Sequence, residues 1–219
     1  MKKYLETLCQ CPLFYQFSQE DIYHLLGCLN AKVTTFNKKE TIIYEGSTEK
    51  QIGILLSGSA QIIQIDYYGN RTIMGTIEPS ELFAEAFACA DIPAIPVDVI
   101  ANEPCDVMMI DCKRLLTTCS NGCSFHHQII FNLMKNLAMK AIMLSQKSEI
   151  TSKRSTREKL MTYLMIQAKR TKSNQFDIPF DRQELADYLE VDRSGLSAEI
   201  SKLRKEGILN SHRKHFELL

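Results

Sequence analysis

Between residues 31 and 112 apolar and polar positions alternate in short runs: Lys32-Val-Thr-Thr-Phe36, Thr41-Ile-Ile-Tyr44, Gln51-Ile-Gly-Ile-Leu-Leu56, Ala60-Gln-Ile-Ile-Gln-Ile65, Arg71-Thr-Ile-Met74, Val97-Asp-Val-Ile-Ala101 and Val107-Met-Met-Ile110. A period of two predicts roughly six to eight strands. Gly46, Gly58, Gly69-Asn70 and Glu78-Pro79 fall between the runs, the spacing of an antiparallel sandwich or roll closed by tight turns. Ahead of it, Ser18 and the acids that follow cap a helix whose apolar stripe is Ile22, Leu25, Leu26 and Leu29. From 124 to 149 there is neither glycine nor proline, and one long helix is predicted. His127, Ile130, Met134, Leu137, Ala141, Leu144 and Ser148 recur at alternating steps of three and four, the seam of a two-stranded coiled coil, while Phe125, Ile129 and Leu133 form a second stripe suited to the roll. A helix buried wholly in its own domain is the alternative, because periodicity does not name a partner.

The period changes again after Ser155-Thr-Arg-Glu158, a capping-box pattern that opens a helix to about Lys169. Beyond a polar loop at 171–175, Asp181 caps a short helix with Glu184 three residues on, Leu185 and Leu189 facing inward and Ala186 small where two helices must approach. Glu190-Val-Asp192 makes the turn. A second helix follows, capped by Asp192, with Leu196, Ile200 and Leu203 inward and Arg193, Ser194, Ser197, Ser201 and Arg204 outward. Gly207 ends it, and residues 208–218 read as a hairpin with a basic tip at Arg213, Lys214 and His215. A helix-turn-helix beside a basic wing fits a duplex: small side chains let a helix approach the major groove, a guanidinium bonds guanine bidentately, and the wing grips phosphates. A helical hairpin for protein contacts is the competing reading.

Composition sharpens this picture. The 219 residues carry 26 Lys+Arg and 26 Asp+Glu, but residues 1–149 hold 12 and 16 and residues 150–219 hold 14 and 10, so the last third is a basic module. No apolar stretch is long enough to span a membrane and Glu6 falls where a signal peptide needs apolar residues, so a cytoplasmic protein is expected. The eight cysteines are then expected as thiols. Histidine is absent from 25 to 125, which excludes the ligand set of a cupin-like enzyme inside the roll, and no phosphate-cradling glycine loop or nucleophile elbow occurs. A non-enzymatic protein is expected, with a β-roll protein-interaction module as the other class.

The order of roll, long helix and winged helix-turn-helix, together with Glu45-Gly46, Leu56-Ser-Gly58, Leu82-Phe-Ala-Glu85, Arg182-Gln-Glu-Leu-Ala186 and Asp192-Arg-Ser194, resembles the bacterial cyclic-AMP receptor protein and fumarate–nitrate regulator (Crp/Fnr) family over nearly the whole chain. The resemblance implies an α+β chain: an antiparallel cyclic-nucleotide-binding-like β-roll over 1–123, a dimerisation helix over 124–150 and a winged helix-turn-helix over 151–219. It implies a homodimeric transcription factor that binds palindromic double-stranded DNA and contacts RNA polymerase. Carried over by position, Arg193 and Ser194 read bases with Ser197 beside them, and Arg182, Gln183, His212 and Arg213 meet phosphates. Ala198 stands where relatives often have a second base-contacting arginine. Ile130, Met134, Leu137, Ala141 and Leu144 form the dimer interface.

The sensor departs from the family. Glu85 matches the ribose-binding position, but Ile95-Pro96 replaces the arginine–serine pair that holds a cyclic phosphate, and no Lys, Arg or His lies between Thr72 and Cys112. A desolvated phosphate without cations costs several kcal/mol, so cyclic AMP is rejected as the ligand. A small neutral, aromatic or cationic effector against Leu82, Ala84, Glu85, Ile95, Pro96, Leu144 and Ser145 is expected instead, or a filled pocket with no effector. No metal is assigned; the candidates for metal or redox sensing are Cys119, Cys123, His126 and His127, or the N-terminal Cys9, Cys11 and Cys28, whose spacing does not match the family's iron–sulfur cluster.

Overall fold

The computed structural model describes residues 2–68, 71–117 and 124–219. The chain forms two compact units, Met1–Met139 and Lys140–Leu219, so the division falls inside the long helix.

The first unit opens with α1 (Leu5–Gln10) and α2 (Gln19–Cys28), the latter begun by the expected Ser18 cap in a reciprocal box with Asp21. Among the described residues eight strands follow: β1 (Lys32–Phe36), β2 (Thr41–Ile43), β3 (Gln51–Ser57), β4 (Ala60–Ile65), β5 (Arg71–Ile77), β6 (Leu82–Phe83), β7 (Asp98–Ala101) and β8 (Cys105–Asp111). They pair antiparallel into two four-stranded sheets, β1-β8-β3-β6 and β2-β7-β4-β5. Two cores result. One lies between the sheets and holds Leu55, Val107, Phe83, Val99 and Ala101; the other packs the opposite face of β3 and β8, through Ile52, Ile54 and Ile110, against α1 and α2. Strand β3 is therefore buried on both faces, which is why Ile52-Gly-Ile-Leu-Leu56 is a continuous apolar run. Gly58 turns β3 into β4 at φ +76°, where an added Cβ would stand 2.5 Å from the Pro104 carbonyl oxygen. Only glycine fits there.

Two short helices bracket the end of the roll, α3 (Glu85–Cys89) and α4 (Cys112–Leu116), and the long α5 (Ser124–Thr151) follows. Of its second stripe, Ile129 and Leu133 are buried in the core beneath α1 and α2, whereas Phe125, in the first turn of the helix, is exposed and meets only the Phe17 ring among aromatic side chains of the described residues. Buried Asn132 locks this contact, donating to the carbonyls of Leu13 (3.0 Å) and Tyr15 (2.8 Å) while accepting from Gln128. A second polar clamp is centred on Asp106 of β8, whose carboxylate accepts from Tyr4 (2.7 Å), Thr35 (2.6 Å) and Ser57 (3.0 Å). These hydroxyls, Thr35 first and then Tyr4, with Ser57 and the Lys3 ammonium adding less, hold its pKa at about 2.

The second unit contains the end of α5, α6 (Thr156–Thr171), β9 (Gln175–Asp177), α7 (Arg182–Leu189), α8 (Arg193–Lys205), β10 (Leu209–His212) and β11 (His215–Leu218). The Ser155–Glu158 capping box is present. The expected hairpin β10–β11 gains a third strand that starts at the last residue of the polar loop, in the order β10-β11-β9, because Phe176 enters the core beside Phe216. Arg157 of α6 reaches Glu206 (2.6 Å) and Glu199 (3.7 Å), bracing α8 from behind.

Candidate nucleic-acid interface

The exposed side of α8 follows from its buried side. Leu196, Ile200 and Leu203 are at most 4% exposed, which turns Arg193, Ser197, Ser201 and Arg204 to solvent. Ala186 of α7, fully buried, lets the two helices approach. Asp181 begins α7 in a capping box with Glu184, and Asp192 begins α8 by accepting from the Gly195 N–H at 2.8 Å. Glu190, in the turn, adopts φ 53°, the left-handed conformation expected to strain a non-glycine residue.

Ser194 is not the free reader that the sequence implies: its hydroxyl donates to the Asp192 carboxylate, leaving only its acceptor capacity outward. The Ser194 hydroxyl, then the Gly195 N–H, holds the Asp192 carboxyl below the ordinary range. Ser201 donates back to the Ser197 carbonyl (2.9 Å). Among the proposed phosphate contacts, Arg182 is half-buried with its guanidinium 5.6 Å over the Phe216 ring, and Gln183 donates to Asp187 at 2.8 Å. His212 and Arg213 are exposed at the hairpin, Arg213 with φ 53°. The other two expected basic tip residues are exposed but already engaged. Lys214 donates to the Pro179 carbonyl at 2.6 Å and His215 pairs with Asp177 at 3.0 Å, because β9 brings both partners beside β11. Such a surface, a capped helix with an arginine at its start and a cationic hairpin beside it, can present hydrogen-bond donors to base edges and charge to phosphates.

The expected effector residues do not line one cavity. Leu82 belongs to the core under the helices, Ala84 and Ile95 belong to the core between the sheets, and Pro96 is exposed. Packing has divided the set: the strand ends at Phe83, and Ala84 turns the chain into α3 at φ 60°, so the alternation that would put residues 82 and 84 on one face is broken. Glu85 is 3% exposed at the start of α3, after Ala84 at φ 60°. A cavity of about 320 Å³ lies elsewhere in the roll, against Phe36, Ile42, Tyr44, Ser47, Ile95 and Met109, so Ile95 alone is common to both. The segment between Glu85 and Pro96 does meet a cation: Lys50, from the β2–β3 connection, stands 3.3 Å from Asp91 and donates to the Ile92 carbonyl. Leu144 and Ser145 are exposed on α5 in the second unit. Along the expected seam, Ile130 and Leu137 are half-buried against the roll core, whereas Met134 and Ala141 are exposed. Phe131, left out of that seam, is 56% exposed.

Cys119 and Cys123 lie outside the described residues. His126 is buried and His127 exposed, Cys9 and Cys28 are exposed and Cys11 is buried. Among the described residues no three His, Cys, Asp or Glu side chains are grouped to hold a metal ion, and no helix is long and apolar enough to cross a membrane.

Two family models match the chain, the cyclic nucleotide-binding domain over residues 33–121 and the Crp-like helix-turn-helix domain over residues 158–219. Over 187 residues the chain is 25% identical to the transcriptional activator protein FnrA of Stutzerimonas stutzeri, covering 83% of this chain and 74% of that one. Its fold is similar to the crystal structures of DNR from Pseudomonas aeruginosa (TM-score 0.53, 20% identity, 100% of this chain and 95% of that one) and of the Thermus thermophilus catabolite activator protein (0.50, 18%, 95% and 93%).

Proposed function

From a chain that belongs to the Crp/Fnr family of transcriptional regulators, we propose a homodimer that binds palindromic double-stranded DNA and regulates transcription in contact with RNA polymerase, under a small effector other than cyclic AMP. The protein is a regulator and not an enzyme. The observation that carries the reading is the surface of α8: Arg193 and Ser197 project from a helix whose opposite face is anchored in the core, with His212 and Arg213 on the neighbouring hairpin. Arg193 is the principal base reader, Ser194 an acceptor only, and Arg182, Gln183, His212 and Arg213 the phosphate grip. The dimer forms along the exposed side of α5, through Met134, Ala141 and Leu144 with Phe131.

A cyclic phosphate is disfavoured because Ile95 fills the inter-sheet core where the family has cationic and hydroxyl donors, and the Lys50 ammonium is already engaged by Asp91 and Ile92. The 320 Å³ cavity sets Phe36, Ile42 and Met109 beside Thr34, Ser47, Glu49 and Gln51, a mixed lining that suits a small neutral or cationic effector. Selection of bound sequences from random duplex DNA by the purified protein, at one fixed salt concentration, tests the core of this reading. A two-fold symmetric enriched site is expected; enrichment of a single unrepeated half-site would refute the dimeric mode, and no enrichment would refute autonomous DNA reading.

A further inference from the structure

The thiol that ends α3 and the thiol that begins α4 are neighbours in space. Cys89 Sγ and Cys112 Sγ lie 3.9 Å apart across 23 residues of chain. Cys112 is buried at the first position of its helix, while Cys89 is only half-buried and open to a small reagent. Sulfurs at this separation touch, and a bond of about 2.05 Å needs an approach of about 2 Å, within the reach of side-chain rotation at two short residues. The setting favours such a movement on one side: α3 is a five-residue helix, whereas Cys112 is fixed behind the Asp111 cap and in the core with Leu115 and Ile110.

We propose that Cys89 and Cys112 form a reversible intramolecular disulfide, making the end of the roll a modification site for hydrogen peroxide. The accessible Cys89 attacks first: its thiolate forms a bond to one peroxide oxygen, the O–O bond breaks, and the other oxygen leaves and takes up a proton as water. The Cys112 thiolate then attacks the Cys89 sulfur, forming S–S and breaking S–O, and the second water leaves. One peroxide gains two electrons, two thiols become one disulfide, and the thiol protons end in the two waters. Burial raises both thiols above their ordinary range, Cys112 to about 12, so little thiolate is present at neutral pH and the reaction accelerates as pH rises. Cys112, held behind Cys89, traps the first product before it is oxidised further. The inference requires neither DNA nor an effector and so stands or falls separately from the regulatory reading.

The test oxidises the purified full chain with hydrogen peroxide, blocks the remaining thiols with N-ethylmaleimide and maps the digested peptides. Two of the eight cysteines should escape blocking and appear as one linked Cys89–Cys112 peptide, reversed by dithiothreitol and formed faster at higher pH. In Cys112→Ala the link should be lost and Cys89 should be captured by dimedone as its sulfenic acid. If that variant does not fold, the wild-type map decides alone. Blocking of both cysteines after peroxide, conversion of Cys89 to a sulfinic acid without a link, or joining of either to another cysteine would overturn the proposal.

Discussion

Arg193 and Ser194 are adjacent at the start of α8 and yet have different freedom. The guanidinium is exposed, while the serine hydroxyl is committed to Asp192. Arg193→Ala should therefore cost ~1–3 kcal/mol of affinity for the selected site and relax preference at one base position, measured by titration of specific and random duplexes. Equal losses on both duplexes would remove Arg193 as a base reader. Arg213, at the hairpin turn, should behave differently: Arg213→Ala weakens all DNA alike and lowers the salt slope by about one, which a salt series of binding constants measures. Within the core of the second unit, the Tyr163 hydroxyl is buried with no hydrogen-bond partner among the described residues, beside Tyr188 and Phe180, and burial pushes its pKa up. Tyr163→Phe removes an unsatisfied polar group without changing the packed ring. Denaturant unfolding should show the variant as stable as the parent or up to ~1–3 kcal/mol more stable, and a loss of stability would mean the hydroxyl is satisfied.

Helix α5 has one face in the roll core and another side open, and the boundary between them decides how the dimer can be probed. Leu137 and Ile130 touch the roll core, so charges there would damage the fold and the seam together. Met134, 57% exposed, is the cleaner position. Met134→Glu should leave the thermal midpoint near that of the parent and convert dimer to monomer in sedimentation, with operator affinity lost because two half-sites require two-fold symmetry. An unchanged dimer would place the interface elsewhere. The helix caps at Ser18, Ser155, Asp181 and Asp192 were all legible in the sequence, since each is a contact between residues three apart. Strand β9 was not, because Gln175–Asp177 becomes a strand only through pairing with β11, some forty residues later.

The two units carry different electrostatics, and the first depends on an anion. Asp106 ties Tyr4, Thr35 and Ser57 to β8, and its folded pKa, about 2, is below its ordinary value of 3.8. A depressed carboxyl stabilises the fold above its unfolded pKa, and the contribution is lost as pH falls from the ordinary value toward the folded one. Thermal midpoints of the parent should exceed those of Asp106→Asn at neutral pH and converge with them as pH falls from about 4 toward about 2. A gap that stayed constant across that range would show that the clamp does not depend on the carboxylate charge.

What the chain determined by itself was whatever depends on neighbours in sequence: the period-two runs of the roll, the uninterrupted helix, the caps, and the apolar triad of α8 that turns Arg193 and Ser197 outward. These arise from local geometry, and the fold retained them. Only the tertiary structure decided which polar groups were already occupied. It brought Lys50 to Asp91, Lys214 to Pro179 and His215 to Asp177, divided Leu82 from Ala84 between two cores, and set Cys89 against Cys112. Each of these contacts joins residues that chain periodicity does not relate or sends close neighbours to opposite faces, and so follows from how the sheets and helices pack.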